Sequence, residues 1–251
     1  MKFIDSPKNQ RVKEIKKLHT KKGRDERGLF LIEGMHLVEE ALKYEGLITE
    51  LFVQEAFLLP PHWDVKNISV TYVSERALKE IAQTASPQGI VAVCKQFSHE
   101  VPYAPGTYLL VDRVQDPGNV GAMIRTADAA GLTAVILGDG TVDMYNDKVI
   151  RSSQGSIFHL PVVKNNLAEW MDNASEEIQI FGTALTDAKP YDTVEKQKYF
   201  ALIVGNEGEG VSPALLGKTK KNLYIPIYGK AESLNVSVAA GILLYHLKRP
   251  S

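Results

Sequence analysis

The stretch that decides the fold is Ile225-Pro-Ile-Tyr-Gly-Lys-Ala-Glu-Ser-Leu-Asn-Val-Ser-Val-Ala-Ala-Gly241. Its pattern predicts a short apolar strand that ends at Pro226, a glycine-containing loop, and a long helix that opens at residues 233–235. Ser233 is the predicted N-cap, which leaves Asn235 in the first turn with a free amide. The first turn presents unpaired backbone N–H groups that suit an anionic ligand, although a capped helix without a ligand explains the pattern equally well.

The predicted last helix carries apolar residues at helical spacing. Because Val238, Ile242, Leu243 and Leu247 recur in this way, we expect them to form one buried face. Two earlier predicted strand ends, at residues 112–119 and 205–210, carry the same mixture of glycine, asparagine and charge. This repetition favours a ligand site over a helix that is merely capped, since ligands of parallel sheets bind beyond the carboxyl ends of the strands.

The chain from residue 107 onwards alternates between apolar strands and helices. This alternation predicts an α/β domain with a parallel sheet and helices on both of its faces. Asn119 is the predicted N-cap of the first helix. The predicted strands span residues 108–111, 134–137, 157–163, 179–185, 200–204 and 223–227, and the predicted helices before the last one span residues 119–130, 146–154 and 167–173.

Three further segments precede this domain. Residues 28–95 alternate between short strands and helices and predict a small α/β domain. Residues 96–106 contain two prolines and a glycine without periodicity, so we expect a linker there and a second domain over residues 107–251. Residues 1–27 contain ten Lys and Arg residues against four acids, and Ser6-Pro7 predicts the start of a helix. This basic segment is either a solvated helix face or a contact for the phosphate backbone of a nucleic acid.

Composition excludes several classes of protein. The chain of 251 residues is 44% hydrophobic and 24% charged, with a net charge of −1, which is typical of a globular protein. A single cysteine, Cys94, excludes an intramolecular disulfide framework. We find no membrane-spanning run and no apolar signal-peptide core, and we therefore expect a cytoplasmic protein.

The motifs of common cofactors are also missing. The six histidines are scattered and predict no metal site. Asp116-Pro-Gly-Asn-Val-Gly121 does not match the dinucleotide fingerprint, and Ser212 stands where a phosphate loop ending in Gly217-Lys-Thr219 would need glycine. The loop Gly205-Asn-Glu-Gly-Glu-Gly210 carries two acids, which favour a neutral or cationic ligand over a pyrophosphate.

Three stretches carry a family resemblance: Asn119-Val-Gly-Ala-Met-Ile-Arg125-Thr-Ala, Ile203-Val-Gly-Asn-Glu207-Gly-Glu-Gly-Val, and Ile225-Pro-Ile followed by Ser233-Leu-Asn235-Val-Ser-Val-Ala. In order and spacing they resemble the three motifs of the SpoU (TrmH) ribose methyltransferases of the SPOUT class. The resemblance spans roughly residues 107–247. Residues 28–95 resemble the ribosomal-protein-like substrate-binding domain that many members carry.

The resemblance implies a C-terminal trefoil knot, a homodimer, and S-adenosylmethionine as the methyl donor. It implies that backbone groups around five residues bind the donor: Thr183, Leu185, Gly205, Ile225 and Leu234. It also implies a catalytic set of Arg125, Asn119, Glu207, Ser233 and Asn235. Because a guanidinium stays protonated in proteins, we expect Arg125 to clamp a phosphate and stabilise the developing alkoxide rather than to act as a base.

The predicted function is therefore methyl transfer from S-adenosylmethionine to a ribose 2′-hydroxyl of structured RNA, without a metal and away from membranes. The additional N-terminal domain favours ribosomal RNA. Transfer RNA is the alternative substrate, and an RNA-binding family member without transferase activity is the alternative function. Intact Asn119, Arg125, Glu207, Ser233 and Asn235 argue against the second alternative.

Overall fold

A computed structural model describes residues 2–249. The strands are β1 (Lys2–Ile4), β2 (Leu29–Glu33), β3 (Ile48–Gln54), β4 (Ser69–Val73), β5 (Ile90–Lys95), β6 (Thr107–Asp112), β7 (Ala134–Leu137), β8 (Val162–Lys164), β9 (Gln179–Thr183), β10 (Lys189–Pro190), β11 (Phe200–Gly205) and β12 (Lys221–Tyr224). The α-helices are α1 (Gln10–Lys16), α2 (Lys21–Arg27), α3 (Met35–Leu42), α4 (Glu75–Ile81), α5 (Pro117–Ala129), α6 (Asp147–Ser153), α7 (Leu167–Asn173), α8 (Pro213–Leu216) and α9 (Val236–Leu247). Short 3₁₀ helices span Lys17–His19, Ser156–Phe158 and Tyr191–Thr193.

The chain packs into two compact units. The small unit consists of Met1–Phe97 and Tyr145–Phe158, and the large unit consists of Ser98–Met144 and His159–Ser251. Helix α6 therefore packs with the small unit although it lies between strands of the large unit in sequence. None of the helices within residues 2–249 is both long and apolar enough to cross a bilayer.

The small unit is built on a five-stranded sheet in the order β1-β4-β3-β5-β2. Strands β1, β3 and β4 are parallel, and β5 runs antiparallel to both β3 and β2. Val12, Ile15 and Leu18 of the basic segment are almost completely buried in the core of this unit. The basic segment is thus an integral part of the small unit, because its apolar stripe and β1 both belong to that fold.

The predicted start of the first helix at Ser6-Pro7 is wrong. Asn9 is the N-cap of α1, and its side chain accepts a hydrogen bond from the backbone N–H of Arg11 at 2.8 Å. The hydroxyl of Ser6 instead accepts from the backbone N–H of Lys8 at 3.2 Å, which closes a local turn. Both residue types cap helices and turns by the same hydrogen bond, and the pattern alone does not distinguish them.

The large unit contains a seven-stranded sheet in the order β10-β12-β9-β11-β6-β7-β8. All of its pairings are parallel, which confirms the predicted sheet type. The predicted strand over residues 157–163 is shorter than expected, since only Val162–Lys164 pair and Ser156–Phe158 form a 3₁₀ helix. Helices α5 and α9 pack against each other, and α9 also packs against β11.

The buried face of α9 differs from the prediction. Leu243 and Leu247 are buried as expected, together with Ala240 and Leu244. Val238 and Ile242 lie on another side of the helix and keep 51% and 36% of their surfaces exposed. Helical spacing alone could not separate the two stripes, because α9 is apolar on more than one side.

Candidate functional site

The predicted donor-binding residues gather at one edge of the large sheet. Strands β12, β9 and β11 are adjacent and parallel, so their carboxyl ends lie side by side. Thr183 and Gly205 end two of these strands, Ile225 directly follows the third, and Leu185 lies two residues beyond β9. Leu234 lies at the end of the connection that leads from β12 to α9, just before the helix.

Helix α5 begins three residues earlier than predicted. Its N-cap is Asp116, whose Oδ1 accepts from the backbone N–H of Asn119 at 3.0 Å, and Pro117 occupies the first helical position. Proline is favoured at that position because it has no N–H to leave unpaired. The prediction that Asn119 is the N-cap is therefore wrong. Its side chain instead lies in the first turn, and Nδ2 donates to Oε1 of Glu207 at 3.0 Å.

Helix α9 begins with Asn235 as its N-cap, so the prediction of Ser233 is wrong. Oδ1 of Asn235 accepts from the backbone N–H of Ser237 at 2.9 Å and from its hydroxyl at 2.6 Å. Nδ2 of Asn235 donates to Oδ1 of Asn119 at 2.9 Å. One asparagine thus caps α9 and joins it to α5. Ser233 is exposed and forms no hydrogen bond with the described residues.

The side chains of Glu207, Asn119 and Asn235 therefore form a continuous relay of hydrogen bonds, which we call the amide relay. The Glu207 carboxylate also accepts from the backbone N–H groups of Asp116 at 3.2 Å and Gln115 at 3.4 Å. Partial burial acts to raise the pKa of Glu207. Hydrogen bonds from the Asn119 side chain and from backbone N–H groups outweigh that effect and lower the pKa below its ordinary value, so the carboxylate is ionised at neutral pH.

The loop at residues 205–210 is held by its own hydrogen bonds. Asn206 and Gly210 pair through their backbones in both directions, at 2.9 and 3.1 Å. Oδ1 of Asn206 accepts from the N–H groups of Gly208 and Glu209, and its Nδ2 donates to the carbonyl oxygen of Arg113 at 2.9 Å. Asn206 was missed by the sequence analysis, although asparagine in a glycine-rich loop is a known signal for such a local turn.

Gly205 has no room for any side chain. A Cβ at this position would lie 2.1 Å from the backbone carbon of Gly210 and 2.1 Å from the nitrogen of Val211. The glycine is therefore required by the close approach of its own loop. A bulky substitution at Gly205 would disturb this loop directly and would not be a clean test of ligand binding.

Arg113 fastens the same loop to the end of β6. It adopts a left-handed backbone with φ of 57°, and its guanidinium donates to Glu209 at 2.5 Å and to Asp112 at 3.3 Å. The Glu209 hydrogen bond and the negative charge of Asp112 raise the pKa of Arg113. Asp112 in turn accepts from the backbone N–H of Ser212 at 2.8 Å. Sequence reasoning missed this cluster, because only the strand order brings residues 112 and 209 together.

Arg125 stands apart from the amide relay. It is exposed on α5 and has no hydrogen-bond or ion-pair partner among residues 2–249. Arg125 lies six positions after Asn119, so the two residues are about 9 Å apart along the helix axis and about 120° apart around it. The structure thus joins Asn119, Glu207 and Asn235 by hydrogen bonds, whereas Arg125 and Ser233 remain available for a ligand.

The site offers polar groups for orientation, and within residues 2–249 no cluster of three or more His, Cys, Asp or Glu side chains is placed to hold a metal ion. Residues 226–234 form no hydrogen bonds with the rest of the described chain, so their backbone groups are free for a ligand. Leu185 and Leu234 are 77% and 38% exposed and offer apolar surface. The apolar surface fits the adenine of S-adenosylmethionine, and the free backbone groups fit its polar groups. The Glu207 carboxylate fits its positive charge.

Comparison with known proteins is consistent across the whole chain. Residues 106–245 match the model of the SpoU rRNA Methylase family, and residues 9–92 match the MRM3-like substrate binding domain. The 23S rRNA (guanosine(2553)-2′-O)-methyltransferase RlmP of Bacillus subtilis is 53% identical over 249 residues, which cover 99% of this chain and 100% of the relative.

Solved structures give the same result. The AdoMet-bound rRNA methyltransferase of Sinorhizobium meliloti superposes with a TM-score of 0.87 at 32% identity and covers 98% of this chain and 97% of its own. The SpoU methyltransferase AviRb of Streptomyces viridochromogenes, in complex with AdoMet, gives a TM-score of 0.83 at 26% identity, with 96% and 97% of the two chains covered.

Proposed function

The chain belongs to the SpoU rRNA methylase family, and from that premise we propose that it transfers the methyl group of S-adenosylmethionine to a ribose 2′-hydroxyl of ribosomal RNA. The observation that carries the proposal is the amide relay, whose hydrogen bonds join all three motif stretches. We further propose 23S rRNA as the substrate, with the guanosine modified by the Bacillus subtilis relative as the first candidate.

We propose that Thr183, Leu185, Gly205, Ile225 and Leu234 surround the methyl donor. When bound, S-adenosylmethionine supplies an electrophilic methyl group on a positively charged sulfur. The chain contributes orientation and electrostatics, because an in-line displacement depends on the alignment of its two reacting partners. The ionised Glu207 carboxylate favours a cationic ligand nearby. The exposed leucines at positions 185 and 234 would be covered by the adenine.

We propose that Arg125 binds the acceptor. Its guanidinium is exposed and has no partner among residues 2–249, so it is free to contact RNA. A guanidinium remains protonated in proteins and forms bidentate hydrogen bonds with phosphate. Arg125 therefore clamps the phosphate beside the target ribose and stabilises negative charge as the hydroxyl loses its proton.

We propose that the amide relay acts as a positioning device. Glu207 fixes the orientation of the Asn119 amide, and Asn119 fixes that of Asn235. Asn235 caps α9 and so sets where the segment before that helix ends. Ser233, which is exposed and unpartnered within the described residues, then contacts the substrate or the donor.

We propose that the small unit binds the RNA, with the basic segment contacting phosphates. Lys8, Lys13 and Lys17 are exposed and have no ion pair within the described chain. Several other charges in this segment are paired or buried. Arg24, for example, is 4% exposed and donates to the carbonyl oxygens of Leu18 and His19. The effective positive charge of the segment is therefore smaller than its composition suggests.

We also propose that the protein is a homodimer that acts in the cytoplasm and contains the trefoil knot of its family. Support for the dimer comes from α9, where Val238, Ile242 and Tyr245 are 51%, 36% and 58% exposed. Their spacing of four and three residues places them on one face of the helix. A second copy of the chain would cover this apolar stripe.

The test of the proposed function compares 2′-O-methyl maps of ribosomal and transfer RNA from cells with and without this chain. We expect one ribose methylation in 23S rRNA to disappear with the chain and to return when the chain is supplied again. Loss of a methyl group from transfer RNA alone would identify transfer RNA as the substrate. Unchanged maps of both RNAs would contradict the proposal.

A further inference from the structure

The segment at residues 226–234, which we call the arm, lies between the last strand of the site and α9. Its nine residues form no hydrogen bonds with any other described residue. Both of its ends are fixed, because Tyr224 pairs with Pro190 at the end of β12 and Asn235 caps α9. The neighbouring loop at residues 205–210 is the opposite case, since Asn206 cross-links it from within. The arm is therefore a part of the site that a ligand can still reposition.

Tyr228 is the single aromatic residue of the arm. It keeps 95% of its surface accessible, and the next residue, Gly229, has no heavy atom within 4 Å of where a Cβ would lie. Lys230 follows and is also exposed. Tyr228 thus presents an exposed aromatic ring next to a glycine with space around it, and the Lys230 cation lies two residues away. This combination suits a partner that has a flat face and a negative charge.

We propose that Tyr228 stacks on a base of the RNA beside the target nucleotide, with Lys230 close to the adjoining phosphate. The inference rests on the proposed function and names a substrate contact of the same site. Sequence-specific recognition of RNA mostly targets loops, bulges and ends, where the target nucleotide can be splayed out of the stack. The neighbouring base then loses one stacking face, which a tyrosine ring can replace.

RNA fits this position better than a second copy of the chain. The apolar stripe on α9 is continuous, as an interface between proteins requires. Tyr228 is instead followed by Gly229, Lys230, Ala231 and Glu232, all exposed, and none of these has a large apolar side chain that would extend a hydrophobic patch. An exposed aromatic ring with a cation close by in sequence is typical of a base-stacking platform.

The experiment compares Tyr228→Ala with Tyr228→Phe in the full-length protein, using a 23S rRNA transcript that the wild type methylates. We expect the alanine variant to bind this transcript about 5- to 150-fold more weakly, the range for loss of one stacked base. The phenylalanine variant should stay near the wild type, because it keeps the ring. Affinity for S-adenosylmethionine and the oligomeric state should be unchanged in both.

A transcript series that lacks one base at a time near the target nucleotide locates the partner of the ring. Removal of the stacked base should weaken binding by the wild type and have little further effect on Tyr228→Ala, which is the coupling expected of two groups in contact. Wild-type RNA affinity in Tyr228→Ala would overturn the inference. Weaker donor binding would instead assign Tyr228 to the cofactor site, and a change of oligomeric state would assign it to the dimer; both results also overturn it. If the wild type itself methylates no RNA, that result contradicts the proposed function. It is distinguishable from a result that contradicts only the contact of Tyr228.

Discussion

Asn235 donates a hydrogen bond from Nδ2 to Oδ1 of Asn119 at 2.9 Å, although the two residues lie 116 positions apart in the sequence. The contact joins the first turn of α5 to the N-cap of α9. Asn119 in turn donates a hydrogen bond to Glu207, so side-chain hydrogen bonds join the three motif stretches.

Replacement of Arg125 with alanine should reduce methyl transfer by at least about a hundredfold, the scale for loss of one donor to a transition-state charge. Affinity for S-adenosylmethionine should be nearly unchanged, since Arg125 belongs to the acceptor side of the site. Arg125→Lys should also be impaired, because an ammonium cannot clamp phosphate in a bidentate way. Single-turnover rates and donor titrations measure the two effects separately. Normal turnover of Arg125→Ala would remove this residue from the site.

Asn235→Asp tests the amide relay without removing the helix cap. Aspartate caps helices as well as asparagine does, but it has no amide to donate to Asn119. We expect the single variant to lose roughly tenfold in rate, which corresponds to about 1.4 kcal/mol. Asn235→Ala should also be less stable, with an unfolding free energy about 1 kcal/mol lower, because it lacks the helix cap as well as the donor.

The amide relay can also be inverted. In the double variant Asn235→Asp with Glu207→Gln, the glutamine amide can donate to Asn119, and a rotated Asn119 amide can donate to the new aspartate. We therefore expect the double variant to be more active than Asn235→Asp alone. Purely additive losses in the double-mutant cycle would show that the three side chains do not act together.

The lowered pKa of Glu207 gives its contribution to stability a defined pH dependence. Because the folded-state pKa lies below the ordinary value of 4.5, the stabilisation is complete above that value and is lost as the pH falls through the folded-state pKa. We expect wild type and Glu207→Gln to differ by a constant unfolding free energy between pH 6 and 8, and by progressively less below about pH 4.5. Urea denaturation across this range is the measurement. A difference that grows on acidification would contradict the assignment.

A charge on the exposed stripe of α9 should weaken the proposed homodimer. We expect Ile242→Lys to raise the dimer dissociation constant at least about tenfold, because it places an unpaired cation in an apolar interface. Leu58→Lys is the matched control, since Leu58 is an 88% exposed apolar residue of the small unit, whereas α9 belongs to the large unit. Sedimentation velocity over a dilution series measures both. Equal association of the two variants would show that α9 is not the interface.

The basic segment should contribute to RNA affinity through charge alone. Its deletion would also remove Val12, Ile15 and Leu18 from the core, so charge-neutralising variants are the cleaner test. Replacing Lys8, Lys13 and Lys17 with glutamine should reduce the slope of log K against log salt by roughly 0.7 to 0.9 for each lost phosphate contact, and so by up to roughly 2 to 3 in total.

Lys79→Gln serves as the control for this series, because Lys79 is already paired with Glu75 at 2.6 Å. The position of the methylated nucleotide should stay the same, since phosphate contacts carry no base information. An unchanged salt slope in the triple variant would show that these lysines form only a solvated face.

The sequence predicted the parallel sheet better than it predicted the geometry of the candidate site. Apolar runs of four to six residues identified the core strands, because a strand that is buried on both faces leaves little room for polar residues. The N-caps were misplaced by two or three residues at both helices of the site. Ser233 and Asn235 are equally good caps by type, and only the contact with Asn119 distinguishes them.

Other features depended on contacts that no local pattern records. Arg113 reaches Glu209, 96 residues further along the chain, only because β6 and β11 are neighbours in the sheet. Val238 and Ile242 looked like core residues because their spacing is helical, yet α9 has more apolar surface than its own unit buries. Residues 145–158 follow the alternation of the large unit in sequence but pack with the small unit.

Reconstitution with purified components tests the central claim most directly. The purified protein, S-adenosylmethionine carrying a labelled methyl group and an unmodified 23S rRNA transcript should give one labelled nucleotide, with the label on the ribose. The same transcript with a 2′-deoxynucleotide at that position should take up no label, and Arg125→Ala should label the normal transcript at least about a hundredfold more slowly. Label on a base, or equal labelling of the 2′-deoxy transcript, would contradict ribose 2′-O-methylation by this protein.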